Sequence, residues 1–111
     1  MEIYDLSHEW FLLTGRYFVH AVIASRKEIE LPSNFSAIFE KIKEEGKKRI
    51  PDIAKLYAPI IGINECVAED YLSNKIIYDL DEKALDGLKT FHSFCIEKGL
   101  IKKQFPIQLL Q

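Results

Sequence analysis

A chain of 111 residues, 48% hydrophobic and 29% charged, is long enough for one domain with a real but modest core, and its make-up argues against a disordered tail. The formal charge of -2 gives no concentrated positive field, so neither nucleic acid nor an anionic membrane is expected as a partner. Cys66 and Cys95, with no Cys-x-x-Cys spacing, are too few for a disulfide scaffold and point to a reducing compartment.

The first element runs from Ile3 into a short helix. Ser7 or Asp5 can cap its orphan amides, Glu9 sits in its first turn, and Gly15 can take the left-handed conformation that closes it. Tyr17 to Ala24 then reads as a strand. Its aromatic and β-branched residues suit a pleated surface, and its apolarity, broken by His20, suits a strand covered on both faces. Glu28 to Ser33, with Pro32, reads as a loop, and Ser33 or Asn34 starts a second helix. There Phe35, Ile38, Phe39 and Ile42 fall at i, i+3, i+4 and i+7, an apolar stripe, with Glu40-Lys43 and Glu44-Lys48 as supporting pairs on the other face.

Pro51 either begins a new helix or kinks a continuing one. Ile50, Ile53, Ala54 and Tyr57 repeat the helical spacing up to Pro59 and Gly62, which gives a helix-turn-helix pair with apolar faces inward. Its exposed charges, Asp52, Lys55 and Arg49, are too few and too mixed in sign to read a DNA major groove, and Lys47-Lys48-Arg49 suits the solvated end of a helix. Asn64 can cap a short helix from Glu65 to Leu72, broken by Ser73-Asn74-Lys75. Ile76-Ile77-Tyr78 is a brief strand-like run. Asp79 or Asp81 caps the last helix, whose stripe is Ala84, Leu88, Phe91 and Cys95, widened by Leu85, Phe94 and Ile96 and stopped by Gly99. The tail after Leu100 carries Phe105, Ile107, Leu109 and Leu110, more apolar residues than a solvated terminus needs.

Residues with chemical potential are few. Phosphate loops, nucleophile elbows and His-Glu-x-x-His motifs are absent. His92 and Cys95, at i and i+3, lack two further ligands at zinc-like spacing, so Cys95 reads as core and His92 as flanking surface. His8 and Glu9 read as helix surface. Trp10 reads as a packing anchor whose indole N-H needs a partner. His20 is either a histidine satisfied by one hydrogen bond within the fold or a group facing a cleft beside Tyr17 or Phe18. No charged start precedes an apolar run and no apolar stretch is long enough to span a bilayer, so with Met1 as the true start the expected location is cytoplasmic.

Asp5-Leu6, Trp10, Thr14-Gly15, Phe18-Val19 and Ala21 resemble, at the same spacing, the segment Asp-Leu-Gly-Glu-x-Trp followed by Thr-Gly-Leu-Pro-Phe-Val-Phe-Ala of the chorismate dehydratases of menaquinone biosynthesis. Ser7, Arg16, Tyr17 and His20 depart from it, standing for Gly, Leu, Pro and Phe. Tyr71-Leu72, Ile76, Tyr78-Asp79-Leu80, then Gly87-Leu88 and Phe91, resemble that family's closing pattern. The resemblance implies an α/β, helix-rich chain, the C-terminal portion of a two-lobed periplasmic-binding-protein-like fold. One hinge-crossing strand would be followed by several helices, with residues 1–16 ending the second lobe and approaching the hinge and 17–111 completing the first.

It also implies dehydration of chorismate to 3-[(1-carboxyvinyl)oxy]benzoate without a metal or organic cofactor. Substrate would be held between the lobes, with Tyr17 and Phe18 lining the cleft from this side and no catalytic residue in this chain. A strand apolar on both faces needs neighbours that one other short run cannot supply. The expectation is therefore a C-terminal fragment, inactive by itself. The competing reading is a small α-rich module without catalytic activity that binds a partner, or a second copy of itself as a homo-oligomer, through its apolar tail and the edge of 17–24.

Overall fold

The structure is a computed structural model that describes residues 1–101 and 106–110. It divides into two compact units, Met1–Arg26 with Asp79–Leu110 and Lys27–Tyr78. The elements are α1 (Leu6–Thr14), α2 (Phe35–Lys48), α3 (Ile50–Ile61), α4 (Glu65–Asp70), a π-helical turn (Tyr71–Lys75) and α5 (Glu82–Glu97).

The first unit is built on α1 and α5. Of the two possible caps for α1 it is Asp5 that acts, its carboxylate accepting from the amides of Ser7 and His8. Gly15 closes the helix at φ 67°, where its N-H donates to the carbonyl of Phe11 at 2.7 Å; a side chain here would strain against its own backbone. Asp81, not Asp79, caps α5 by accepting from the Ala84 amide at 2.8 Å. Gly99 ends that helix at φ 70°. Ala84 and Gly87 are buried on α5, whereas Phe91 and Phe94 keep about two fifths of their surface in water.

The second unit stacks α2, α3, α4 and the π-helical turn. Asn34 precedes α2 without a side-chain cap, and Lys43 meets Glu40 at 2.6 Å as the spacing predicts. Lys48 meets Glu45 at 2.8 Å where a contact with Glu44 was expected. Pro51 opens a new helix in its first turn, where its missing N-H costs nothing. Pro59 does not stop α3, which runs through it to Ile61 and closes at Gly62. One lost N-H in the last turn is a smaller penalty than ending the packing of α3 on α4, whose shared core is Ala54, Ala58 and Ala68. Ile50 and Ala54 face inward as expected, but Ile53 and Tyr57, expected beside them, are exposed.

Asn64 caps α4 through the Cys66 amide at 2.8 Å. Ser73-Asn74-Lys75 does not break the chain into a loop. The helix widens there, with the Ile76 amide reaching back five residues to the Tyr71 carbonyl at 3.2 Å. Asn74 holds Asp70 at 2.8 Å, and the Tyr78 hydroxyl donates to the Leu72 carbonyl at 2.9 Å.

The strand expected over Tyr17 to Ala24 is not present. Residues 17–26 carry no strand pairing, and neither does Ile76-Ile77-Tyr78. A strand exists only as one member of a ladder, and among the described residues nothing offers the second edge. The segment is also not covered on both faces, because Val22 is 49% and Ile23 is 70% exposed. What stands is the helix-rich character; neither the hinge-crossing strand nor the two-lobed arrangement is seen. Phe105 of the apolar tail lies outside the described residues, while Leu109 and Leu110 are about half exposed. Among the described residues no helix is long and apolar enough to cross a membrane.

Candidate functional site

The neighbourhood of Tyr17 and Phe18 is assembled from three stretches of the first unit: α1, the turn after it, and α5. Trp10 is the hub. Its indole meets Phe18, Phe91 and Phe94 edge-on, with ring centroids 6.1, 5.7 and 5.6 Å away, the separations that the ring quadrupole favours. Phe18 meets Phe91 in the same manner at 5.2 Å. The partner that the Trp10 N-H needed is the carbonyl of Tyr17, at 3.2 Å.

That carbonyl is held from a second side. Gly87, on the buried face of α5, lies so close to Tyr17 that a Cβ built on it would overlap the carbonyl oxygen and stand 3.1 Å from its carbon. The glycine is there because two backbones meet, and it accepts the lower helix propensity that follows. Arg16 adds a tie of its own. Its Nε pairs with Asp86 at 2.6 Å and its guanidinium donates to the Thr14 carbonyl at 3.0 Å. The Arg16 and Asp86 side chains are 42% and 58% exposed, which makes this an orienting contact more than a stabilising one.

With its backbone pinned, Tyr17 lays its ring parallel to Phe11 at 6.4 Å and keeps 42% of its surface in water. Phe18 turns into the aromatic cluster and is half-buried. The two candidate residues thus differ: Tyr17 keeps part of its surface in water, and Phe18 packs into the aromatic cluster.

His20 is exposed rather than buried. Its Nε2 lies 2.7 Å from the Ser7 Oγ, and its ring stands edge-on to Phe18 at 5.2 Å. It is the singly paired histidine of one expectation, but at the surface. Sequence reasoning could not find Ser7 as its partner, thirteen positions away, nor Gly87 as the residue that seats Tyr17. Spacing on one helix carries no signal for either.

His8 and Glu9 lie on the surface as expected, and Cys95 and His92 are half-buried. Among the described residues no cluster of His, Cys, Asp or Glu could hold a metal. In the second unit an open groove of about 280 Å³ runs along one face of α4 and the π-helical turn, lined by Cys66, Glu69, Asp70, Ser73 and Asn74. Asp70 is already engaged there, by Asn74 at 2.8 Å and by Lys75 at 4.0 Å.

Residues 1–97 match a protein family described as menaquinone biosynthesis. The chain belongs to that family. The match takes in α1, the turn at Tyr17 and Phe18, and the whole of α5, so every contact that seats Tyr17 lies inside it. A chorismate dehydratase of Thermus thermophilus is similar, 34% identical over 91 residues that make up 82% of this chain and 33% of the relative. The chain thus spans about a third of the length of the curated relative it matches. No solved structure matches.

Proposed function

We propose that this chain contributes to an enzyme that dehydrates chorismate to 3-[(1-carboxyvinyl)oxy]benzoate on the way to menaquinone. The observation that carries the reading is the family match over residues 1–97 together with the 34% identity to a chorismate dehydratase. In that reading, residues 1–16 approach a hinge from the second of two lobes and 17–111 belong to the first, as in periplasmic binding proteins.

The reaction breaks one C-O and one C-H bond, releases water and leaves an aromatic ring. It needs a base for the proton, an acid for the departing hydroxyl, and donors for two carboxylates. The described residues beside Tyr17 supply little of this. Arg16 directs its Nε to Asp86 and Ser7 is bonded to His20, so no catalytic residue is assigned here. The part of this chain is to present the Tyr17 ring, stacked on Phe11 with its carbonyl held by the Trp10 indole, to one side of the cyclic substrate. Metal and organic cofactors have no part in the scheme.

The test is to follow chorismate loss and product formation with the purified chain and with a complete family protein that contains it. The chain alone should show no turnover; turnover would overturn the view that the site is shared with further polypeptide. The complete protein should consume chorismate. Its failure to do so would overturn the reaction and favour a non-catalytic interaction module. Tyr17→Ala in the active protein should raise KM roughly ten-fold, the equivalent of about 1.4 kcal/mol for one aromatic contact.

A further inference from the structure

The apolar residues of α3 form two stripes. Ile50, Ala54 and Ala58, at i, i+4 and i+8, are buried, and the two alanines meet Ala68 of α4. Ile53, Leu56, Tyr57 and Ile60, at i, i+3, i+4 and i+7, form a second stripe that borders the first and are 37%, 61%, 54% and 72% exposed. Asp52 and Lys55 are the only charged residues in the twelve of α3, and their positions fall off both stripes. A helix that is apolar around most of its circumference belongs inside a larger protein. Here two of the three buried side chains are alanines while Leu56, Tyr57 and Ile60 stay in water, the reverse of what a self-sufficient helical unit would do.

We propose that the outer stripe of α3 is a docking surface for the part of the family's polypeptide that lies beyond the third matched here. Length chooses the occupant. Residues 1–97 belong to the family while the chain spans 33% of its dehydratase relative, so a family protein brings about twice as much polypeptide again, with apolar faces of its own to cover. Charge agrees, because one acid and one base off the stripe leave no net field for a charged partner and favour an apolar contact. The inference rests on the family reading above, but not on chorismate being the substrate.

The experiment places a photo-crosslinking residue at Ile60 of the chain as made in its own cells, with the same residue at the exposed Glu45 of α2 as control, and identifies the captured peptides by mass spectrometry. Capture from Ile60, and not from Glu45, of peptides of the menaquinone-biosynthesis family from outside these 111 residues is the expected result. Leu56→Glu should lower that yield about ten-fold or more, as loss of a central interface anchor does, and Tyr57→Lys should do the same. Both side chains are more than half exposed, and an unchanged far-ultraviolet helical signal checks that α3 is intact. Peptides of this same chain, of an unrelated protein, no capture, or a yield indifferent to both substitutions would each overturn the proposal. A captured family segment in a complex that leaves chorismate unchanged would keep the docking surface and remove the reaction.

Discussion

Replacing Gly87 by alanine is the sharpest probe of how Tyr17 is seated. On an exposed helix the change would stabilise α5 by about 1 kcal/mol through propensity. Here the new Cβ meets the Tyr17 carbonyl oxygen, a backbone atom that cannot swing aside as a flexible side chain would. Overpacking of this kind costs about 1–3 kcal/mol. Displacing the carbonyl also breaks its bond from the Trp10 indole, worth about 1 kcal/mol more. The terms combine to a net loss of about 1–3 kcal/mol, opposite in sign to the propensity effect. Trp10 is the single tryptophan in the chain, so its emission during urea unfolding reports on this cluster directly. Gly87→Ala should move the midpoint to lower urea and speed amide exchange in α1 and α5, while Lys89→Ala on the exposed side of α5 should not. A Gly87→Ala chain as stable as the parent, or more so, with unaltered Trp10 emission would refute the close approach of the two backbones.

Asp81→Ala should cost about 1 kcal/mol, seen as faster amide exchange in the first turn of α5, and Asp5→Ala the same in α1. Arg16→Ala should cost no more than about 1 kcal/mol, and less in high salt, because the pair with Asp86 is exposed; a much larger loss in denaturant titrations would show that the pair seats Tyr17. The hydrogen bond from the Tyr4 hydroxyl to Glu2, at 2.7 Å, raises the phenol above its ordinary value of 10.0, with desolvation adding to the same direction. The protonated phenol is the donor, so this contact is present below that value and is lost as the pH rises through the raised one. Glu2→Gln should bring the Tyr4 titration, read by ultraviolet absorbance or NMR, back toward the ordinary value.

The sequence by itself determined the local events. Asn64 caps its helix because a short amide reaches an amide two residues ahead, the caps of the first and last helices are narrowed to Ser7 or Asp5 and to Asp79 or Asp81, and Gly15 and Gly99 end helices because a side chain there would strain against its own backbone. Trp10 as an anchor needing a partner was legible for the same kind of reason, as was the family, carried by spaced residues that the match over 1–97 bears out.

Only the tertiary structure decided what depends on residues far apart in the chain. Gly87 beneath Tyr17, Ser7 beside His20 and Arg16 opposite Asp86 are pairings that no period encodes. Pro59 inside α3 and the widened turn at Tyr71–Lys75 show packing overriding a local breaker. Hydrophobic spacing names the faces of a helix that can be buried, but neighbours choose among them, and so Ala54 went inward while Ile53 and Tyr57 stayed out. The segment 17–24 makes the same point for a strand. Its residues favour extended backbone, but a ladder needs a partner's donors and acceptors, and those have to come from another stretch of polypeptide.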